Sequence, residues 1–402
     1  MTAAQNPPQA HTKSKPLAPG SRRPAKELCS ECGLCDTSYI HYVKEACAFL
    51  NQQFDKLETL VHGRSRQLEN PDELYFGVHQ DMMQARKNEP IEGAQWTGIV
   101  STIAIAMLES GQVEGVVCVQ SSPDDRFTPV PVIATTREAI LAAKVNKPTL
   151  SPNLNILDLV EQSGLKKLLV IGVGCQIQAL RAVQDKIGLE KLYVLGTPCT
   201  DNVSREGLQK FLDTTSRSPS TVVYYEFMQD FNVHFKYEDG STELVPFFGL
   251  NTKELKDVFA PSCLSCFDYT NALADLVVGY MGAEFGWQGI LVRNETGAEM
   301  LEMVNQDITT KPVTSKGDRK AAVQQGISAY DAAMTLPMWV AKAMGVVIKR
   351  VGPKGLEYAR FSIDSHFTRN YLFVRRNYAS KLEAHVPEFA KRIAAQYKLP
   401  KL

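Results

Sequence analysis

Two hydrophobic periods alternate along the middle of the chain. Residues 98–111 (GIVSTIAIAMLESG) repeat apolar positions at helical spacing, and residues 113–121 (VEGVVCVQS) form a continuous β-rich run. The same alternation continues with a strand at 166–174, a helix at 175–188, a strand at 191–197 and a helix at 204–215. Strands that are apolar throughout are typical of parallel sheets covered on both faces. The pattern predicts an α/β fold, a mostly parallel sheet with helices on both faces.

The flanking regions differ from this core and predict four parts. Residues 1–28 are rich in Pro, Ala, Lys and Arg and predict a disordered tail, and residues 29–92 predict a small cysteine-containing module. Residues 93–219 form the α/β core. Residues 220–402 combine a β-hairpin marked by Asp239-Gly240, a second cysteine loop and a mixed β/α C-terminal region. No apolar run reaches the roughly 18–20 residues of a membrane span.

Charge and cysteine content narrow the function classes. The 402 residues carry 44 Lys and Arg against 44 Asp and Glu, so nothing favours a nucleic-acid surface. Nine cysteines at clustered spacings, in a chain with no signal-peptide pattern, indicate metal or redox use rather than a disulfide framework.

Four cysteines near the N-terminus have the spacing of an iron–sulfur loop. Three of them fall within seven residues, in a C-x2-C-x2-C run that can wrap a cubane cluster while a remote cysteine closes the fourth corner. Zinc sites more often pair two knuckles or use histidines. The set that we predict to hold a [4Fe–4S] cluster is Cys29, Cys32, Cys35 and Cys47.

A second set of four is scattered along the chain. Cys175 and Cys199 each follow a predicted strand, and Cys263 and Cys266 form a knuckle in a loop. Strand ends of a parallel sheet share one edge, so we expect these thiols to converge there on a second cluster. Cys118 lies inside an apolar strand, where it is expected to pack as a small hydrophobic residue. The glycines of Gly172-x-Gly174 leave a nicotinamide site as an alternative.

Several motifs together resemble the beta subunits of deazaflavin-reducing hydrogenases. They are AQWTG at 94–98, KPT at 147–149, GVGCQIQAL at 172–180, GTPC at 196–199 and CLSCFDYTNALADLVVGYMG at 263–282. Within that family the likeness is greatest to the branch that reduces chlorophyll pigments. The resemblance implies FAD, two [4Fe–4S] clusters and reduced ferredoxin as the electron source. The wider family has Pro where Gly174 stands, and the pigment-reducing branch shares the glycine.

Two segments are candidates for binding the flavin diphosphate. The first is the turn into the helix at 99, where hydroxyls and a glycine can meet a phosphate at a helix N-terminus; an ordinary helix cap is the alternative. The second is the loop 146–153, whose lysine can pair with phosphate or with the flavin N1; a plain helix-start loop is the alternative. The candidate residues are Thr97, Gly98, Ser101, Thr102, Asn146, Lys147, Thr149, Ser151, Asn153, Asp201 and Asn202.

Reduction of a carbon–carbon double bond on a pigment, the reaction expected below, also needs a proton donor. His41, close to the first cysteine loop, is the catalytic residue that we predict, and Tyr39, His79 and His366 are alternatives. The expected reaction is reduction of the 8-vinyl group of divinyl (proto)chlorophyllide a in chlorophyll biosynthesis. The alternatives are reduction of 7-hydroxymethyl chlorophyll a and an electron-relay subunit without its own organic substrate. A zinc-stabilised binding module is a further class.

The expected setting is the cytoplasm of a cyanobacterial-type cell, with a peripheral thylakoid position left open, or the stroma if the protein is plastidic. A homo-oligomer is also left open. The late run 336–355 (LPMWVAKAMGVVIKRVGPKG) is expected to be a helix packed on the sheet. A membrane surface, a pigment site and a guide for acidic ferredoxin are its alternatives.

Overall fold

The computed structural model describes residues 11–228, 230–328 and 336–400. The first ten residues of the predicted tail lie outside this range. From His11 onward the chain contacts the cysteine-containing module, where the His11 ring stacks on Tyr39 with centroids 3.9 Å apart.

Helices and strands alternate through most of the described chain. The helices are α1 (Val43–Ala46), α2 (Phe54–His62), α3 (Pro71–Phe76), α4 (Ile99–Glu109), α5 (Arg137–Ala142), α6 (Leu157–Ser163), α7 (Gly174–Val183), α8 (Arg205–Thr215), α9 (Glu295–Glu302), α10 (Lys320–Ser328), α11 (Met338–Val351), α12 (Leu356–Asn377), α13 (Leu382–His385) and α14 (Glu388–Ala394). The strands are β1 (Asp81–Lys87), β2 (Gly115–Ser121), β3 (Pro129–Ala134), β4 (Lys167–Gly172), β5 (Lys191–Gly196), β6 (Val222–Phe227), β7 (Asn232–Tyr237), β8 (Thr242–Pro246), β9 (Leu276–Gly279), β10 (Gln288–Val292), β11 (Ile308–Pro312), β12 (Ser315–Lys316) and β13 (Lys354–Gly355).

The main sheet has eight strands in the order β11-β1-β10-β9-β5-β4-β2-β3. Its centre, β2-β4-β5-β9, is parallel, as the βα alternation predicts. The outer pairs are antiparallel, so the expectation of a mostly parallel sheet is corrected to a mixed sheet with a parallel core. For the pairs β2–β3 and β9–β10 the reason is connection length, because these strands return through short loops that cannot make a parallel crossover.

Both faces of the sheet are buried, in two separate cores. In β2, Val116 and Cys118 face one core while Val117 faces the other. Helices α4, α5 and α9 contribute to the first of these cores, whereas α2, α7, α12 and α14 contribute to the second. Helices on both sides therefore agree with the sequence prediction. Burial of Cys118 also agrees with its assignment as a packing residue.

A separate antiparallel sheet, β6-β7-β8, stands beside the main sheet. Its β7–β8 hairpin turns at the predicted Asp239-Gly240, where Gly240 has a φ of 79°. Phe211 of α8 packs with Tyr225 and Phe235 of this sheet in a core of their own. This unit lies between Cys199 and Cys263 in sequence, so the chain leaves the main sheet after β5 and rejoins it at β9, after Cys263 and Cys266.

Candidate functional site

The first cysteine set is gathered on a loop and on the end of α1, where Cys47 is the C-cap. Backbone N–H groups point at the sulfurs: Glu31 N donates to Cys29 Sγ at 3.3 Å, and the N–H groups of Phe49 and Leu50 donate to Cys47. Such bonds stabilise thiolates, which are the form that binds iron.

This loop is fastened to the α/β core by a glycine. Gly33 has a φ of 94°, and a Cβ there would lie 2.4 Å from Asn155 N and 2.5 Å from Pro152 O. Leu154 N donates to Cys32 O at 2.8 Å across the same contact. The close approach leaves no room for a side chain at Gly33, so the cysteine loop lies in direct backbone contact with the segment 152–155.

The second set converges at the carboxyl ends of the parallel strands, as predicted from the strand-end rule. Cys175 lies in the first turn of α7 after β4, and Cys199 follows β5, with its N–H donating to Tyr269 O at 3.0 Å. Asn202 N donates to Cys263 Sγ at 3.3 Å, which orients that thiol. Among the described residues, Cys175 interacts electrostatically with Cys199, Cys263 and Cys266.

The two sets adjoin one another. Cys32 is close enough to Cys175 to raise the pKa of its thiol, although burial is the larger cause. Phe49 packs against cysteines of both sets and, with Ser30, lines a solvent-open pocket beside the second set. Burial raises the pKa of Cys32 to about 12 and that of Cys263 to about 11.

The spacing of the sulfurs separates a cluster from a zinc site. Zn–S bonds of about 2.3 Å in a tetrahedron place sulfurs about 3.8 Å apart. Within the described chain no three cysteine sulfurs lie within 4.8 Å of one another, and the one His/Cys/Asp/Glu group that close is His11, Asp158 and Glu161. In this structure the described cysteine sets are thus more open than a tetrahedral single-ion site, which is compatible with a cubane, whose four thiolates lie farther apart because its irons and sulfides lie between them.

Helix α12 supports the second set, a role that sequence reasoning missed. The buried amide of Asn370 donates to Cys263 O at 2.8 Å and to Cys266 O at 2.7 Å. Arg369 holds Asp201 through two bonds of 2.7 and 3.0 Å, so this predicted flavin contact is paired within the protein. Burial raises the pKa of Asp201 despite the nearby guanidinium. The sequence signal for this role was the presence of polar residues such as Asn370 in the largely buried helix α12, but the sequence did not show that they contact the second cysteine set.

The predicted flavin turn begins α4. Gly98 has a φ of 86° and packs against Ile91. Thr97 accepts a bond from Lys87 N and donates to Gln288, while Thr102 donates to Gly98 O. Ser101 is half-buried, and its side chain makes no hydrogen bond within the described chain. Its hydroxyl and the N–H groups of the first turn are thus the donors left for an anionic group.

The predicted loop 146–153 is mostly occupied with protein contacts. Lys147 donates to the carbonyls of Ala143, Lys144 and Val145 at 2.9–3.1 Å, and burial lowers its pKa to about 8. Thr149 donates to Phe127 O, and Ser151 bonds Asn153 at 2.5 Å. Asn146 is exposed.

An aromatic row joins the flavin turn to the second cysteine set, and sequence reasoning missed it. Trp96 stacks on Tyr280 with centroids 5.6 Å apart, and Tyr280 lies 5.8 Å from Tyr358 and shares a hydrogen bond with it. Tyr269 interacts with both Tyr358 and Cys199. Burial raises the pKa of Tyr358 to about 12, so its hydroxyl stays protonated at neutral pH.

The predicted proton donors lie in different surroundings. His41 is exposed and contacts Ser14 and Tyr42. His79 Nδ1 donates to the carbonyl of Gly77 in its own turn, and Tyr39 is buried against His11. His366 is buried beside Arg369, and that burial holds its pKa well below the usual value.

Across the described residues, no helix has both the length and the apolar character that a bilayer crossing requires.

Comparisons with known proteins cover most of the chain. Residues 82–158 match the N-terminal and residues 165–316 the C-terminal model of the coenzyme F420 hydrogenase/dehydrogenase beta subunit. An uncharacterized protein of Nostoc is 76% identical over 97% of this chain and 98% of its own. The 7-hydroxymethyl chlorophyll a reductase of rice is 52% identical over 96% of this chain and 86% of its own. A chain of the F420-reducing [NiFe] hydrogenase complex from Methanosarcina barkeri superposes with a TM-score of 0.61 at 25% identity, covering 80% of this chain and 99% of that one.

Proposed function

Since this chain belongs to the coenzyme F420 hydrogenase/dehydrogenase beta-subunit family, we propose that it is a flavin- and iron–sulfur-dependent reductase of a chlorophyll-type pigment. The observation that carries the proposal is the 52% identity to the rice pigment reductase, which extends over 96% of this chain. Reduced ferredoxin is the electron donor that we propose.

The residues present fit two cubane clusters. Cys29, Cys32, Cys35 and Cys47 would hold one, and Cys175, Cys199, Cys263 and Cys266 the other. Two features support the fit: N–H groups directed at the sulfurs, and sulfur spacing more open than in a tetrahedral single-ion site. The clusters would carry single electrons and a flavin would collect two of them for the reduction of carbon.

The flavin is proposed to bind along the carboxyl edge of the sheet, between the N-terminus of α4 and the second cysteine set. Ser101 and the first-turn N–H groups of α4 would contact its diphosphate, because these donors are not used within the described chain. Asn146 is accessible for a further contact with the flavin. Lys147 would have an indirect role, because its ammonium binds carbonyls at the C-terminal end of α5 and so holds the loop in place. FAD is thus a proposal that rests on this donor set and on the family.

Proton supply is assigned to the Tyr280–Tyr358 pair, which lies on the same edge of the sheet. A raised pKa keeps both hydroxyls protonated, so either can donate to a carbanion formed on the pigment. Their hydrogen bond lets the second hydroxyl restore the proton of the first. His41 remains the alternative from the sequence, and its exposed position would require the pigment to reach the surface of the N-terminal module.

The 8-vinyl group of divinyl (proto)chlorophyllide a is the substrate group that we propose first, and the motifs of the pigment-reducing branch are compatible with it but do not separate it from the second candidate. The 7-hydroxymethyl group of chlorophyll a is the second candidate, and the name of the rice relative favours it. An electron-relay role is a third, because the M. barkeri chain is one part of a hydrogenase complex.

Anaerobic turnover with chemically reduced ferredoxin tests these assignments. Each pigment is offered in a separate tube, and the product is identified by its absorbance and mass. Vinyl-to-ethyl conversion alone supports the first assignment, and a methyl product alone transfers the protein to the second. No product with either pigment, from protein that contains flavin and iron, contradicts the pigment-reductase proposal and favours the relay.

The tyrosine assignment has its own test. Tyr280→Phe should lower pigment turnover at least tenfold while ferredoxin still bleaches the bound flavin at the parental rate. Solvent deuterium should slow the parent more than the variant. Tyr371→Phe, on α12 but outside the aromatic row, is the matched control and should behave as the parent. Full turnover in a variant that carries both Tyr280→Phe and Tyr358→Phe would exclude the pair and leave His41 as the alternative.

A further inference from the structure

Helix α11 presents an apolar face to solvent. Trp339 is 75% exposed, Val346 58% and Val347 55%. At 100° per residue, these three side chains and the exposed Ala343 fall within an arc of about 100° on the helix. Single exposed apolar residues are ordinary, but a continuous band along one helix marks an interaction surface.

The band is not needed to hold the helix in place. The opposite face packs on the protein through Ala341 and Gly345, both buried. A Cβ at Gly345 would lie 3.7 Å from Phe231, and one at Gly249 would lie 3.3 Å from Met338. The outward side chains therefore add no packing energy to the described fold, and their retention on the surface needs another partner.

The charge of the helix identifies the chemistry of that partner. Lys342, Lys349 and Arg350 are exposed along the edge and the end of the band, and Lys354 follows. No Asp or Glu occurs from Leu336 to Leu356, whereas the whole chain is neutral. An apolar band with an interfacial Trp and only cations around it complements a bilayer with anionic head groups.

We propose that α11 docks this protein on the surface of an anionic lipid bilayer. The helix has 14 residues, about 21 Å, so it lies in the interface and does not cross the membrane. Trp339 and the valines enter the head-group region, and the cations contact lipid phosphates. This inference goes beyond the proposed function and does not depend on which pigment is reduced.

Co-sedimentation with vesicles tests the proposal. The holoprotein is mixed with vesicles of phosphatidylcholine alone or with added phosphatidylglycerol, and the bound fraction is measured against lipid concentration. We expect binding to the anionic vesicles, little binding to the neutral ones, and loss of binding at high salt. Val347→Asp should weaken anionic binding at least tenfold, because it replaces a band residue with a repelled charge.

Two variants make the test specific. Leu60→Asp changes an equally exposed apolar residue, 58% accessible on α2, and should bind as the parent. Lys342→Gln with Lys349→Gln should weaken binding by roughly fivefold for each charge removed. Circular dichroism and iron content confirm that each variant is folded and loaded.

Three results would overturn the proposal. The first is equal vesicle binding by the Val347→Asp variant and the parent. The second is a parental oligomer in light scattering that Val347→Asp dissociates without lipid, which would make a second copy the occupant. The third is failure to bind vesicles together with retention on immobilised acidic ferredoxin that Val347→Asp abolishes.

Discussion

Substitution of Asn370 should disturb the second cysteine set without affecting the first. The single amide nitrogen of Asn370 donates to the carbonyls of both Cys263 and Cys266, and the side chain is fully buried. Asn370→Asp keeps the size of the side chain but replaces the donor with an oxygen, which faces two carbonyl oxygens. The loop that carries these cysteines should then lose its anchor to α12.

The size of the effect follows from the bonds that are lost. Two hydrogen bonds contribute about 1 kcal/mol each, and leaving two buried carbonyls without donors costs about 1 kcal/mol or more beyond that. The variant should therefore be destabilised by about 3 kcal/mol or more around the second set. If both clusters are present in the parent, bound iron should fall from about eight to about four atoms per chain.

The assay is iron content per chain after anaerobic purification, together with thermal unfolding followed by circular dichroism. Asn377→Asp is the matched control, because Asn377 is exposed at the end of the same helix and, among the described residues, bonds only Phe373 O of its own helix. The control should keep parental iron and lose less than about 1 kcal/mol. Parental iron and parental unfolding in Asn370→Asp would refute the reasoning.

Three further predictions concern single positions. Cys263→Ser should lose about half of the bound iron, whereas Cys118→Ser should keep all of it; the reverse pattern of iron content would overturn the grouping of the cysteines. Burial lowers the pKa of His62 to about 4, so as pH falls from about 6.5 toward 4 the unfolded chain takes up a proton that the folded chain excludes. Stability should then fall by about 2 kcal/mol between pH 7 and pH 5 because of this group, and thermal unfolding of His62→Gln should show a shallower dependence; an unchanged slope would contradict the assignment. Gly174→Ala places a methyl group 2.4 Å from Asp268 Oδ2, so it should displace that carboxylate and lower the melting temperature by several degrees, which a parental melting curve would disprove.

Local patterns predicted the centre of the fold well. The apolar runs at 113–121, 166–174 and 191–197 became the parallel strands, because strands buried on both faces have to be apolar throughout. The strand-end rule then placed Cys175 and Cys199 at one edge. The antiparallel outer strands were not predicted, since their direction is set by loop lengths and by partners far away in sequence. β1 and β11, for example, pair although 220 residues separate them.

Contacts within the candidate site were harder to anticipate for the same reason. Asp201 reads as a free polar residue beside Cys199, yet Arg369 from α12 holds it. Lys147 reads as a phosphate ligand, yet its ammonium caps the end of α5. Tyr280 and Tyr358 come together across 78 positions, and neither stands in a motif that suggests the pairing. Sequence spacing identifies candidate thiolate ligands because binding a cluster would impose the pattern, whereas the residues that support such a site can be of any type with a suitable shape.

The fastening of the first cysteine loop by Gly33 has a consequence for how the protein is made. Cys29 to Cys47 leave the ribosome early, but the segment 152–155 against which Gly33 packs is synthesised more than a hundred residues later. Phe49 can pack against Cys266 only after that later residue has been synthesised. The hydrogen bonds from Asn370 to the loop of Cys263 and Cys266 require residues near the end of the chain. The thiols that are made first are thus among the last to reach their final positions. A nascent chain would expose these thiols until then, so any cluster that the proposed ligands hold would be inserted stably only after α12 is complete.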